Sequence, residues 1–317
     1  MTAVRAAASA AAGALARSTV AARRAIAAHV YVSEGRDAAL LADLAAAGAA
    51  TGARLANEFA DVAYHRAGIT LTSVEDGVLE AGVVAVCHEA LRRLDLRSHI
   101  ASHPRLGTVD HVALNPLGEA SCEEAGELAA RLGRRLGGSR PGPAVPVYLY
   151  GAARADGRPL DELRRHLGYF GGARGGEWAG LSEEMAAAIR ALAPDFGPRE
   201  PDPRHGAVVI GAVPWVHNYN ILVTGTELSQ DDLMARCRRV ARAVSSRGGG
   251  PPAVQTMALL HERGVEVACN LLDVSRTPPA EVLARVEALC AEEFLTVDSH
   301  YFTNKRPDEV LVLATPP

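Results

Sequence analysis

The sequence predicts an α+β fold: two α/β-sandwich subdomains, each a mixed β-sheet with helices, forming a ligand groove between them. Three observations carry that prediction. The chain has 317 residues, too many for one small hydrophobic core. Short β-branched runs alternate with stretches of helical period. The order of strands and helices in the first half returns in the second.

Taken in order, Ala27 to Ser33 is an apolar run that reads as a strand, and Ser33-Glu-Gly-Arg36 makes the turn. A helix follows over 37–47, then strands at 54–59 and 68–73, the second alternating and β-branched. Val78, Leu79, Val83, Val86 and Leu94 recur on one face of a helix spanning 74–94. Val109 to Leu114 is the next strand. Ser121 followed by Glu124 is a capping box that opens another helix. Val145 to Tyr150 reads as a buried strand. Residues 151–203, rich in Gly and Arg, read as a connector with one or two short helices and disorder around Gly171 to Gly176. The second half then places strands at 206–213 and 219–224, a helix at 230–245 and a loop at 247–252. Strands at 254–260 and 265–272, a helix at 279–293 and a closing strand at 310–313 complete it. The expected division is an N-terminal extension over 1–26, a first subdomain with its connector over 27–195 and a second over 196–317.

Composition narrows the function. Net charge is −4, from 33 basic and 37 acidic residues, which argues against a nucleic-acid partner. No run of 18 apolar residues exists, so no membrane partner is expected. Cys87, Cys122, Cys237, Cys269 and Cys290 are scattered and odd in number, a pattern of reduced thiols rather than of a disulfide framework or a metal site. The first 33 residues carry Arg5, Arg17, Arg23 and Arg24 and no acid. The expectation is a frayed extension on a cytoplasmic protein, the alternative being a mitochondrial or plastid transit peptide, which this composition resembles.

Chemistry concentrates at His99 to Leu117, where His99, His103 and His111 fall within thirteen positions. Pro104 pushes His103 out of the α region, and Gly107 permits a tight turn before the strand. The imidazole of His103 is therefore held on a stiff bend between helix and strand, where catalytic groups tend to sit.

Several stretches resemble the formiminotransferase domain family, glutamate formimidoyltransferase. They are Ser33-Glu-Gly-Arg36, Asp95 through His99, His103-Pro-Arg-Leu-Gly107 with Asp110, and Pro146-Val-Tyr-Leu-Tyr150. Further along come Pro194-Asp-Phe-Gly-Pro198, Gly206-Ala207 with Gly211-Ala212, Tyr219-Asn220 and Asn270-Leu-Leu-Asp273. The resemblance runs from about residue 28 through the rest of the chain and lacks the cyclodeaminase half of the bifunctional members. It implies transfer of a formimino group between N5 of tetrahydrofolate, free or polyglutamylated, and the amine of glutamate, within histidine breakdown. It implies a homodimer, no metal, and His103 as the general acid–base group; Asp110 and Asp95 are the nearby carboxylates expected to orient the ring. An imidazole of ordinary pKa, about 6.5, both takes and gives a proton near neutral pH. The family's folate-contacting loop corresponds to Gly197, Pro198, Arg199, Glu200, Pro201, Asp202, Pro203, Arg204, His205 and Gly206. Its arginines and His205 are expected to meet folate carboxylates. Arg66, Arg105 and Asn220 are the expected substrate contacts. Departures from the family's usual residues fall at Tyr31-Val32, His65, Ser98 and Val213. Because of them, a folate-binding protein without turnover, or a transferase with another donor or acceptor, stays open.

Overall fold

The computed structural model describes residues 23–138, 142–171 and 177–315. Nearly all of the expected extension, residues 1–22, and the glycine run at 172–176 lie outside the described residues.

The first sheet begins with β1 (Arg24–Val32), crosses through α1 (Ala38–Ala49), and returns as the hairpin β2 (Arg54–Asp61) and β3 (Arg66–Ser73). Helix α2 (Asp76–Arg93) leads past β4 (Ile100–Ala101) to β5 (Val109–Gly118). The strand order starts β2-β3-β1-β5 and all of these pairs are antiparallel. Beyond β5 the sheet continues with β8 (Val208–Ala212) and then β6 (Val147–Gly151), both paired in parallel. Helices α1, α2 and α3 (Cys122–Gly137) cover one face, where Ile26, Val30, Ile69, Leu71, Val112 and Leu114 meet Leu44, Val83, Leu91 and Leu132 in one core. The capping box at Ser121 and Glu124 is formed and opens α3.

The second sheet has β9 (His217–Thr224), α6 (Gln230–Val244), the hairpin β10 (Val254–His261) and β11 (Gly264–Leu271), α7 (Pro279–Glu292) and β12 (Thr296–Phe302). Its order, β10-β11-β9-β12, repeats the first four positions of the first sheet. Both are therefore βαββαβ units of the ferredoxin-like kind. Tyr219, Ile221, Val265 and Val267 pack beneath Cys237, Val240, Val244 and Val286.

Between β6 and β8, the connector carries α4 (Leu160–His166), β7 (Trp178–Ala179) and α5 (Glu183–Ala191). These pack Leu163, Tyr169, Met185 and Ile189 onto Tyr148, Tyr150 and Val209.

Two expectations are corrected. The strand at 206–213 pairs with β5 and β6, so the break between the sheets falls between Ala212 and His217 and not near 195. A buried parallel strand is apolar on both faces and carries no local mark of its sheet. Residues 310–313 belong to a helix, α8 (Pro307–Ala314), and do not close a sheet. Pro307 at its first turn and Glu309 reaching back to the Arg306 amide start that helix. The edge is closed by β12, unforeseen, whose residues alternate half-buried and exposed.

Candidate active site

The bend after α2 is held from several sides. Asp95 caps the short turn at 96–98, and the Leu96 amide donates to the Arg204 carbonyl at 2.9 Å. Arg105, 2% exposed, donates from Nη2 to the carbonyls of His99 (2.8 Å) and Trp178 (2.7 Å) and from Nη1 to that of His103 (3.3 Å). Its charge thus shapes the bend through main-chain oxygens, and burial pulls its pKa down to about 10. Ser33 Oγ donates to the Gly107 carbonyl and Ser102 Oγ to the Ala63 carbonyl.

His103 is half-buried at the apex. Its Nδ1 lies 2.6 Å from the Pro104 carbonyl oxygen. A carbonyl only accepts, so Nδ1 carries the proton and Nε2 keeps its lone pair. The ring packs against Tyr64, with centroids 5.5 Å apart. Burial holds the imidazole well below its ordinary pKa, and the charges of Arg66, Arg164 and Arg105 push the same way. The expectation of an imidazole near 6.5 is thereby corrected: His103 is neutral at neutral pH. Neither aspartate orients it, since Asp95 pairs with Arg97, and Asp110 with the Leu106 amide (2.6 Å) and Arg66 (2.7 Å).

Asp110 is fully buried and has a second guanidinium, that of Arg164, 3.7 Å away. Arg66 also lies over the Tyr31 ring at 4.8 Å and Arg164 over Tyr169 at 4.3 Å. Tyr31 stacks on His111 and donates to Asn218 Oδ1, which links the site to the second sheet. Asn220, one of the expected contacts, donates at 2.7 Å to Glu266. That carboxylate, 1% exposed, also accepts from Tyr64 (2.5 Å) and Tyr301 (2.7 Å). The Tyr64 ring touching His103 is thus anchored from β11 of the other subdomain.

The departing residues are built into this frame. His65, at φ 45°, stacks on His99 with centroids 4.1 Å apart, and its Nε2 meets Glu34 Oε1 at 3.0 Å. Burial pushes the Glu34 carboxyl up, but hydrogen bonds from His65 and from the Arg36 and Asp37 amides outweigh it and hold the pKa at about 2. Ser98 is exposed, and Val213 packs beside Tyr148 and Tyr150.

The loop 197–206 lies against the same bend, since Gly206 bridges Gly107. Its glycines are needed by the protein's own packing. A Cβ on Gly206 (φ +70°) would sit 2.1 Å from the Leu106 oxygen, and one on Gly197 (φ +89°) 2.1 Å from the Val145 oxygen. Arg199 donates to the Arg190 carbonyl, Arg204 to the carbonyls of Leu94 and Arg92, and His205 to that of Leu91. Glu200 to Pro203 line a hollow of about 410 Å³ with Leu181 and Arg190. Sequence reasoning missed Arg164, Tyr64 and Glu266. Only the arginine excess of the connector hinted at the first.

Comparison with known proteins follows this geometry. Residues 25–213 match the family model of the formiminotransferase domain, N-terminal subdomain. A formiminotransferase cyclodeaminase-like protein of Arabidopsis thaliana is 42% identical over 290 residues, covering 89% of this chain and 93% of its own length. The formimidoyltransferase-cyclodeaminase of Gallus gallus is 29% identical over 228 residues, 72% of this chain but 40% of that protein. A glutamate formimidoyltransferase of Thermoplasma acidophilum is 27% identical over 236 residues, 72% of this chain and 70% of its own.

Proposed function

The chain belongs to the formiminotransferase domain family, and on that premise we propose that it moves a formimino group between N5 of tetrahydrofolate and an amine such as that of L-glutamate, with His103 moving the proton. Tetrahydrofolate supplies the nitrogen that carries the group. The transfer forms one carbon–nitrogen bond to the acceptor and breaks one to the donor. The acceptor amine gives up a proton and the departing nitrogen takes one, so a single shuttle closes the balance.

The observation that carries the reading is the tautomer of His103. With Nδ1–H fixed on the Pro104 carbonyl, Nε2 is a free base. The depressed pKa keeps that base unprotonated before substrate binds. Burial of the bend limits competing water. Folate is proposed to lie along the hollow at Glu200 to Pro203, because Arg199, Arg204 and His205 already donate to main-chain carbonyls of the protein. The homodimer is part of the same proposal.

Purified protein incubated with tetrahydrofolate and formiminoglutamate is expected to form 5-formiminotetrahydrofolate, read by its absorbance. Folate binding with no product from any amine tried would replace the transferase by a folate-binding protein.

A further inference from the structure

The buried cations beside His103 are not balanced. Asp110 is the one carboxylate that Arg66 and Arg164 share, at 2.7 and 3.7 Å. Two guanidiniums against one carboxylate leave one positive charge over. Both side chains are largely buried, at 12% and 13% exposure. A buried cation normally has its N–H groups satisfied, because stripping them of water is costly. Arg66 makes one side-chain hydrogen bond, to Asp110. Among the described residues Arg164 makes none. Its Nε is buried without a partner, and its plane rests on Tyr169. The shortfall lies within the electrostatic reach of His103, on whose imidazole both charges act. Arg105 differs, since it spends its donors on three main-chain carbonyls.

We infer that Arg164, together with Arg66, is the receptor for a carboxylate of the substrate bound next to His103. The inference rests on the transferase reading above. A planar guanidinium presents paired donors that match the two oxygens of a carboxylate. Tyr31 and Tyr169 back the two guanidiniums and keep them in place. A carboxylate seated there would neutralise the charges that press on His103. Its imidazole would then become more basic when substrate arrives, which suits a group that must first take a proton. The carboxylate belongs either to the amino acid or to the glutamyl tail of folate.

The test measures binding directly, by calorimetry, for wild type, Arg164→Gln and Arg164→Lys. The probes are L-glutamate, glutarate, L-glutamine, folate, pteroate and inorganic phosphate. Removing a charged hydrogen bond from a buried site weakens affinity roughly 10- to 100-fold. If the amino acid supplies the group, Arg164→Gln weakens glutamate and glutarate alike by that factor and spares folate. If the folate tail supplies it, the preference for folate over pteroate collapses instead. Arg164→Lys keeps the charge without the fork and should weaken the same probe about 3- to 10-fold, also roughly one hydrogen bond's worth. It decides the matter if the glutamine variant fails to fold. Unchanged affinity for every carboxylate in a folded variant overturns the inference. So does binding of phosphate alone, or no carboxylate binding to wild type. Arg164-dependent binding without formimino transfer would leave this inference standing and remove the transferase reading.

Discussion

The two βαββαβ sheets share their connectivity and strand order, yet they differ sharply where the second helix returns to the last strand. In the second sheet that return takes three residues, 293–295, between α7 and β12. In the first it takes fifteen, 94–108, between α2 and β5. The extra length holds His99, His103 and Arg105, and the little strand β4 that pairs with β7. Closing the sheet therefore requires none of the chemistry. The first repeat lodges His103, the proposed proton shuttle, in the surplus of a connection that its twin makes in one turn of chain. The second repeat contributes differently. The face of its sheet turned away from α6 and α7 offers Asn218, Asn220 and Glu266, which grip Tyr31 and Tyr64. The proposed site sits on a segment grafted to one repeat and braced by the other.

Substitutions can break this contrast, and the largest effect should come from the long return. His103→Ala should lower turnover roughly 10²- to 10⁴-fold, the usual worth of a general acid–base group, with little change in melting temperature. The same base sets the pH profile. Its folded pKa lies well below 6.5, so kcat/KM in the free enzyme should stay level as pH falls through 6.5 and drop only once the imidazole protonates. An acid limb centred at 6.5 or above would contradict the burial and arginine charges around the ring.

A middle-sized effect belongs to the brace. Glu266→Gln places an amide nitrogen against three donors and leaves one of them without an acceptor. Urea denaturation should show a loss of roughly 1–3 kcal/mol, the cost of one buried unsatisfied polar group. An unchanged unfolding midpoint would mean that the two sheets hold together without this contact.

The smallest effect should come from the short return. Phe294 sits there at φ 57° and is 85% exposed. Phe294→Asn replaces a bulky residue by one that tolerates the left-handed region, and should stabilise by at most about 1 kcal/mol with activity untouched. Loss of activity in that variant would show that the second return is more than a connection.

Much of this was legible from local pattern. The helices over 76–93, 122–137, 230–244 and 279–292 follow from period and caps, and the His103 bend from Pro104 and Gly107. Sheet membership was not legible for β8, because pairing with β5 and β6 is decided by distant residues. β12 carries no strand signal in the sequence, because its alternation is half-buried against exposed rather than apolar against polar. At the site, His103 was marked by its neighbours in sequence, but Arg164 and Glu266 reach it only through the fold. Arg66 was found by resemblance, while the surplus of charge it shares with Arg164 required both to be seen around one aspartate.

The helix α8 has a consequence for how the protein is made. It is the last of the described elements, yet Val310, Leu311 and Ala314 cover Ala25, Ala27 and Leu117 on the first sheet, together with Trp215. During synthesis the face of β1 and β5 turned towards α8 must wait for residue 314 before it is shielded. A nascent chain that has finished β5 still shows an apolar patch until the last helix emerges, the kind of surface that associates wrongly or recruits a chaperone. The packing also ties β1 and α8 into one cooperative unit, so hydrogen exchange in β1 should follow the fraying of α8.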